Sequence, residues 1–359
     1  MSDLLDRPPM PELKLDIRTE TWQLAEPFHI TGYVISAASV IVVTLSEGAA
    51  QGRGEASGVF YRGETPASMV AQIEAARPRI ERGITRSELL TLLPAGGARN
   101  AVDTALWSLE AQRLRIPVWQ LAGGVYPRPL VTTFTVGVGT PQAMAEAAAA
   151  LPNARAIKVK LDGQVDDQAR LEAIRGARPD VVLSVDANQG WSLAHFDALL
   201  PSLQRLRVSL IEQPFAVGKD GFLADMDCSI ALAADESFQD LPDLEWVRGR
   251  YDVVNIKLDK CGGLTRALEI AKQARLAGLS VMVGCMAGTS LAMAPAYLLG
   301  QISDIVDLDG PLFLAEDRER RARYTQGTLR CGDSVWRHTE PGRVYRDDRR
   351  TTHSTRSTR

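Results

Sequence analysis

Cysteine is scarce in this chain of 359 residues. Cys228, Cys261, Cys285 and Cys331 stand far apart, and no two form a C-x-x-C pair. That spacing excludes a zinc knuckle and a disulfide framework, and it predicts a reducing compartment, the cytoplasm. Histidine is as sparse: His29, His195, His338 and His353 are scattered. Net charge is only −3, so the chain lacks a strong field of one sign. That argues against nucleic acid or an acidic membrane as a partner. Apolar runs are too short or too interrupted to span a bilayer. The opening MSDLLDRPPMPELK has acids and prolines but no apolar core, so no secretory signal is expected. With 45% apolar residues the composition is globular, not disordered or collagenous. At about 100–200 residues per domain, the length predicts two domains or one large barrel with an appendage.

What is present divides in two. Residues 13–21 and 39–44 are rich in β-branched and apolar side chains and read as strands. Residues 65–82 and 100–114 carry apolar positions at helical spacing. Strands followed by helices predict a small α+β domain over 1–125. From about residue 126 to 317 the rhythm changes. The runs VTTFTVGV, ARAIKVKL, VVLSVDA, VSLIEQP, SIALAADES, DVVNIKL, LSVMVGC and ISDIVDLD alternate with helical stretches such as 166–177, 193–206, 264–277 and 291–299. Eight strands alternating with helices imply parallel strands, right-handed crossovers and closure into a (β/α)7β TIM-type barrel. No G-x-G-x-x-G follows a first strand, as a dinucleotide-binding open sheet would require. Residues 318–346 are expected to return to the first domain as strands and complete a capping unit. Residues 347–359 lack apolar side chains and are expected to be disordered.

Charge recurs at the ends of these strands. Lys158 and Lys160 close the second run, Asp186 the third, Glu212 the fourth, Asp235 the fifth and Lys257 the sixth, while Asp307 and Asp309 close the eighth. The intervals of 22 to 26 residues from Lys160 to Lys257 each match one strand–helix unit. A lone Asp after a strand is usually a turn or a helix cap. Charge at the same end of consecutive barrel strands is different, because those ends converge on one mouth. Residues i and i+2 of a strand share a face, so Lys158 and Lys160 point the same way, as do Asp307 and Asp309. Pointing outward would bury them under helices at several kcal/mol per unpaired ion. The wet barrel mouth is the cheaper side.

Asp186, Glu212 and Asp235 come from adjacent strands with no His or Cys among them. This hard oxygen set suits Mg²⁺, or Mn²⁺, better than zinc. Lys160 on strand two and Lys257 on strand six face each other across the barrel. A lysine beside a metal and another cation is expected to have a depressed pKa and to serve as a base. One lysine on each face of an α-carbon permits proton removal from one side and return from the other, which inverts the centre.

The motifs IKVKL, VDANQGW, IEQPF, ADES and NIKLDKCGG, in that order, resemble the enolase superfamily, muconate-lactonizing branch, over residues 12–345. The resemblance implies Asp186, Glu212 and Asp235 as ligands of one Mg²⁺, Lys160 and Lys257 as the acid/base pair, and Lys158 near a substrate carboxylate. VDLDGPLFL is similar to the Asp-x-Asp of dipeptide epimerases, which implies that Asp307 and Asp309 receive a free α-ammonium. GCMAGTS resembles the specificity loop of those enzymes, which puts Cys285, Met286 and Ala287 by the substrate, with Thr135 in a matching position. The implied activity is epimerisation of a small dipeptide by a cytoplasmic isomerase, which can be a homo-oligomer. Alternatives are an N-acylamino acid racemase, an o-succinylbenzoate synthase, or an inactive metal-binding scaffold. The first-domain loops depart from Ala-Glu epimerases. PFHITGYVIS carries Gly32 and Tyr33 where an arginine is usual, and VFYRGE exchanges Tyr61 and Arg62. The expected preference is therefore a second residue other than Glu, apolar or aromatic.

Overall fold

The structure, a computed structural model, describes residues 12–336 and 344–346. The expected disordered tail, 347–359, lies outside the described residues. The N-terminal region forms the antiparallel sheet β1 (Lys14–Ile30), β2 (Tyr33–Glu47) and β3 (Ala50–Ala56), in that order. Residues 40–43 of β2 are buried on both faces. Ile41, Val43 and Leu45 join the cap's own core, whereas Val40 and Val42 pack with Leu291 and Leu314. A strand covered on both sides reads as a continuous apolar run rather than an alternating one.

Three helices cover the sheet. α1 (Pro66–Glu81) starts at a Thr65–Ser68 capping box with proline at its first turn. α2 (Arg86–Leu92) starts at a Thr85–Glu88 capping box and was not foreseen. α3 (Gly97–Leu114) lies directly on β3, where Gly52 and Gly54 permit the approach. A Cβ at either would collide with the carbonyl oxygen of Ala105 or Ala101.

Eight parallel strands form the expected barrel in sequence order: Thr133–Val136, Ala156–Lys160, Val182–Asp186, Val208–Glu212, Ala231–Ala234, Val253–Lys257, Ser280–Gly284 and Ile305–Val306. Side chains join the first to the eighth: Thr133 Oγ1 donates to the Val306 carbonyl at 3.1 Å, and Leu308 N donates to Thr132 Oγ1 at 3.0 Å. Outward residues such as Ile157, Val159, Val254 and Ile256 pack beneath the helices. Inward residues Leu210, Ala233, Val253 and Met282 fill the floor, as expected of a packed barrel interior. In register, Lys160 stands beside Asp186 and Asp186 beside Glu212.

Buried polar groups fasten the cap to the barrel. Glu55 accepts from Thr289 N at 2.7 Å and from Arg318 Nη2 at 2.6 Å. Asp259 Oδ1 accepts from Ser57 N and Gly58 N, both at 3.0 Å. Arg99 Nη2 donates to the Cys261 carbonyl at 2.7 Å. Removing one partner of a buried charged pair typically costs about 3–5 kcal/mol. The return segment is divided between the cap and the barrel. Glu316–Arg318 pairs with Val344–Arg346, and Thr328–Arg330 pairs with Leu130–Val131, so neither extends the cap sheet. It meets the cap at the Leu24–Leu314 bridge, through Ala315 N, which donates to the Gln23 carbonyl at 2.8 Å, and through the Arg318 pairs with Glu20 and Glu55. Among the described residues no helix is long and apolar enough to cross a membrane.

The tight contact of α3 with β3 makes Gly54→Ala a sharp test. The substitution is expected to lower stability by about 1–3 kcal/mol, read as a reduced urea midpoint. An unchanged midpoint would mean that α3 can retreat without loss.

Candidate active site

A cavity of about 610 Å³ opens where the C-terminal ends of the barrel strands meet the cap. Thr135, Lys158, Lys160, Asp235, Lys257, Cys285, Met286, Ala287, Asp307 and Asp309 all line it. Asp186 and Glu212 lie just beneath, fully buried, and reach the site through hydrogen-bonded partners. The expected ligands, acid/base lysines and substrate-side residues are thus brought to one place. The cap contributes a second wall. The tip of the β1–β2 hairpin docks on the barrel through Thr31 Oγ1, which donates to the Leu161 carbonyl at 3.0 Å and the Ala187 carbonyl at 3.2 Å. Phe28 meets Phe313 at 4.5 Å between ring centroids, and Tyr33 meets Phe60 at 4.9 Å.

Lysines and acids interleave below. Lys160 Nζ donates to Asp186 Oδ2 at 2.5 Å and Asn188 Oδ1 at 3.0 Å. Lys257 Nζ donates to Asp235 Oδ2 at 2.7 Å. Lys260 Nζ donates to both the carbonyl and Oδ1 of Asp235 at 2.6 Å. Lys158 donates to Asp307, and to Glu212 Oε2 at 3.3 Å. Asn255 Nδ2 donates to Glu212 Oε1 at 2.7 Å. Strands two and six of an eight-stranded ring lie half a turn apart, so Lys160 and Lys257 rise from opposite walls. Gly284 makes room for the second of them: a Cβ there would stand 3.0 Å from Lys257 Cε and 2.6 Å from Asn255 Oδ1.

Burial pulls the Lys257 ammonium down, but Asp235 and Glu212 outweigh it and hold the group well above its ordinary value. Lys158 is raised in the same way by Asp307, Glu212 and Asp186 against burial. Burial lowers Lys260. Burial and the charge of Asp186 push Glu212 up to about 7. Burial and Asp307 push Asp309 up to about 7, and among the described residues Asp307 Oδ1 is buried without a partner. Burial also raises Cys285, which keeps it a protonated wall residue rather than a nucleophile.

Six buried carboxyls (Asp186, Glu212, Asp235, Glu236, Asp307 and Asp309) meet four buried lysines (Lys158, Lys160, Lys257 and Lys260) here. That surplus of negative charge, carried wholly by oxygen donors, fits a hard divalent cation such as Mg²⁺. With lysines bound to the acids, no three His, Cys, Asp or Glu among the described residues stand at ligating spacing. Asp186, Glu212 and Asp235 are the acids that would hold such an ion.

Sequence reasoning missed several residues on this cavity. Asn188 lies two residues beyond Asp186, so the rule that paired Lys158 with Lys160 points to it as well. Glu236 follows Asp235 where the strand has ended, and alternation no longer tells where it faces. Tyr33, singled out on its loop, is joined on this wall by Phe28, Phe60 and Phe313 from distant segments, whose meeting no local pattern reveals.

The site belongs to a recognisable lineage. Residues 142–330 match the enolase C-terminal domain-like family, and residues 12–123 match the mandelate racemase / muconate lactonizing enzyme N-terminal domain. The chain is 43% identical over 312 residues to the L-Ala-D/L-Glu epimerase of Escherichia coli, covering 86% of this chain and 97% of that protein. It is 40% identical over 294 residues to the N-acetyl-D-glutamate racemase of a Pseudoalteromonas species, covering 81% and 92%. Among solved structures, an enolase family member from Agrobacterium tumefaciens with homology to dipeptide epimerases, bound to sodium and L-Ala-L-Glu, superposes with a TM-score of 0.88 at 40% identity, covering 90% of this chain and 99% of that one. The dipeptide epimerase of Methylococcus capsulatus, complexed with Mg and L-Arg-D-Lys, gives a TM-score of 0.83 at 31% identity, covering 90% and 98%.

Asp186→Asn and Glu212→Gln are each expected to weaken Mn²⁺ binding tenfold or more, measured by titration calorimetry. Unchanged affinity in both would place the ion elsewhere.

Proposed function

The chain belongs to the mandelate racemase / muconate lactonizing enzyme family of the enolase superfamily, and on that premise we propose that it is a dipeptide epimerase. The observation that carries this reading is the pair of lysines on opposite walls of one cavity whose eighth strand supplies two carboxyls. A substrate α-carbon between the walls offers its proton to one amine. That lysine, as the neutral amine, takes the α-proton, and the bonding electrons pass into the adjoining carboxylate as an enediolate. The opposite lysine, as ammonium, returns a proton to the other face, so protons and charge balance over the turn. Bound at Asp186, Glu212 and Asp235, Mg²⁺ supplies electrostatic stabilisation for the second negative charge of the enediolate. Asp235 and Glu212 favour the ammonium form of Lys257.

Asp307 and Asp309 favour a dipeptide over an N-acyl amino acid. Asp309, raised by burial and by the charge of Asp307, gains from an ammonium, and Asp307 Oδ1, without a partner among the described residues, is a ready acceptor. The racemase relative keeps the N-acyl reading as the second choice. An o-succinylbenzoate synthase substrate likewise offers no ammonium. Four free cysteines support a reducing compartment such as the cytoplasm.

The hairpin does lack an arginine, but Arg62 stands on the cavity wall. Among the described residues its guanidinium has no hydrogen-bond or ion-pair partner. We therefore revise the expected side-chain preference: Arg62 pairs with an acidic side chain on the C-terminal residue, and the aromatic wall packs its methylenes.

Two experiments follow. In D₂O with Mg²⁺ and a dipeptide panel, mass spectrometry should find deuterium at the α-carbon, and Lys160→Ala and Lys257→Ala should each abolish exchange from one stereoisomer. Exchange confined to N-acyl amino acids would favour the second reading, and no exchange with either class would favour the inactive scaffold. Arg62→Ala should lower kcat/KM tenfold or more for acidic C-terminal residues and leave apolar ones within about threefold. A native preference for apolar residues would overturn that assignment.

A further inference from the structure

The two opposed lysines are held by different parts. Lys257 leans on Asp235, which Lys260 clamps from behind. Lys160 has Asp186 and, in addition, a neutral carboxamide. Its Nζ donates to Asn188 Oδ1 at 3.0 Å, and Asn188 Nδ2 donates to Glu236 Oε1 at 3.2 Å. A cation on one side and a carboxylate on the other fix which end of the amide faces which. Among the described residues Lys257 has no such amide.

The turn bearing Asn188 is built to present it. Asn188 and Gln189 are successive non-glycine residues with positive φ, 41° and 69°. Such a backbone persists only where its surroundings over-determine it. Here Asn188 N donates to Asp186 Oδ1 at 2.8 Å, Gln189 N to the Gln213 carbonyl at 2.8 Å, and Gly190 N to the Ala187 carbonyl at 2.8 Å. Thr31 from the cap binds the same Ala187 carbonyl. Glu236, on the far side of the amide, is buried, and its second oxygen has no partner among the described residues.

We propose that Asn188, oriented by Glu236, is a positioning residue for Lys160 and not for Lys257, so that it governs proton transfer on one face of the α-carbon only. This rests on the epimerase reading. A carboxylate steadies an ammonium, whereas a carboxamide oxygen accepts an N–H from amine and ammonium alike. It can therefore hold the side chain in place after the proton has left. A displacement of about 1 Å at a proton-transfer centre can cost about a hundredfold in rate.

The test uses the full-length protein with Mg²⁺ and each pure dipeptide stereoisomer in D₂O. The initial rate of α-proton exchange is read without requiring inversion. Lys160→Ala identifies the isomer that Lys160 serves. Asn188→Gly removes the carboxamide and suits the positive φ. It should lower exchange of that isomer at least tenfold more than exchange of the other. Glu236→Ala should skew the two rates in the same direction, and Glu236→Gln, which keeps an acceptor, should restore them; this pair carries the test if Asn188→Gly does not fold. Equal losses for both isomers, or no loss, would overturn the proposal while leaving the epimerase reading intact. Absence of exchange by the unaltered protein would overturn that reading and this proposal with it.

Discussion

The arrangement at the barrel mouth depends on burying six carboxyls and four lysines side by side. An unpaired ion in such a place costs several kcal/mol, so no member can move or be lost without the rest responding. The barrel supplies the required precision through strand alternation. Ile157 and Val159 go outward to helices while Lys158 and Lys160 go inward, and the pairing register sets Lys160 against Asp186 and Asp186 against Glu212. A one-residue slip would turn every one of these charges into the helix layer. The packed floor of Leu210, Ala233, Val253 and Met282 keeps water to the open end.

That open end explains the cap. A barrel mouth this charged would be fully hydrated if left uncovered, and hydration weakens each electrostatic interaction within it. The cap closes it by contacts that are themselves buried and charged, Glu55 with Arg318 and Asp259 with the backbone at Ser57 and Gly58. Those attachments lie beside the segments that reach over the cavity. Glu55 precedes the loop that carries Tyr61 and Arg62, and Thr31 ties the hairpin tip to the ends of strands two and three. The surface that selects a side chain is therefore fixed to the surface that performs the chemistry.

The sequence made the barrel legible because its signal is periodic and local. Strand-end charges located Lys158, Lys160, Asp186, Glu212, Asp235, Lys257, Asp307 and Asp309, but not Glu236 or Lys260. What stayed hidden was relational. Phe28 and Phe313 are 285 positions apart along the chain and touch only after the cap docks. The sign of the Lys257 shift depends on whether a carboxylate or a cation stands nearest, and spacing along the chain cannot give that order. The strands after residue 315 look like candidates for the cap sheet, yet Thr328–Arg330 pairs with Leu130–Val131. Strand content was readable there, and partner choice was not.

A two-base site built from unlike halves raises a question of direction. Thermodynamics ties the forward and reverse specificity constants of any epimerisation to the ratio of the two isomers at equilibrium, whichever residues surround each base. An amide that steadies only Lys160 thus cannot make net inversion run better one way than the other. It changes how often the intermediate is reprotonated from the side it came from. The unequal surroundings of Lys160 and Lys257 therefore leave their mark in the partition between exchange and inversion. Because the acids hold both amines, that partition is set jointly by the carboxylates that release them and by the neutral carboxamide that keeps one of them in place.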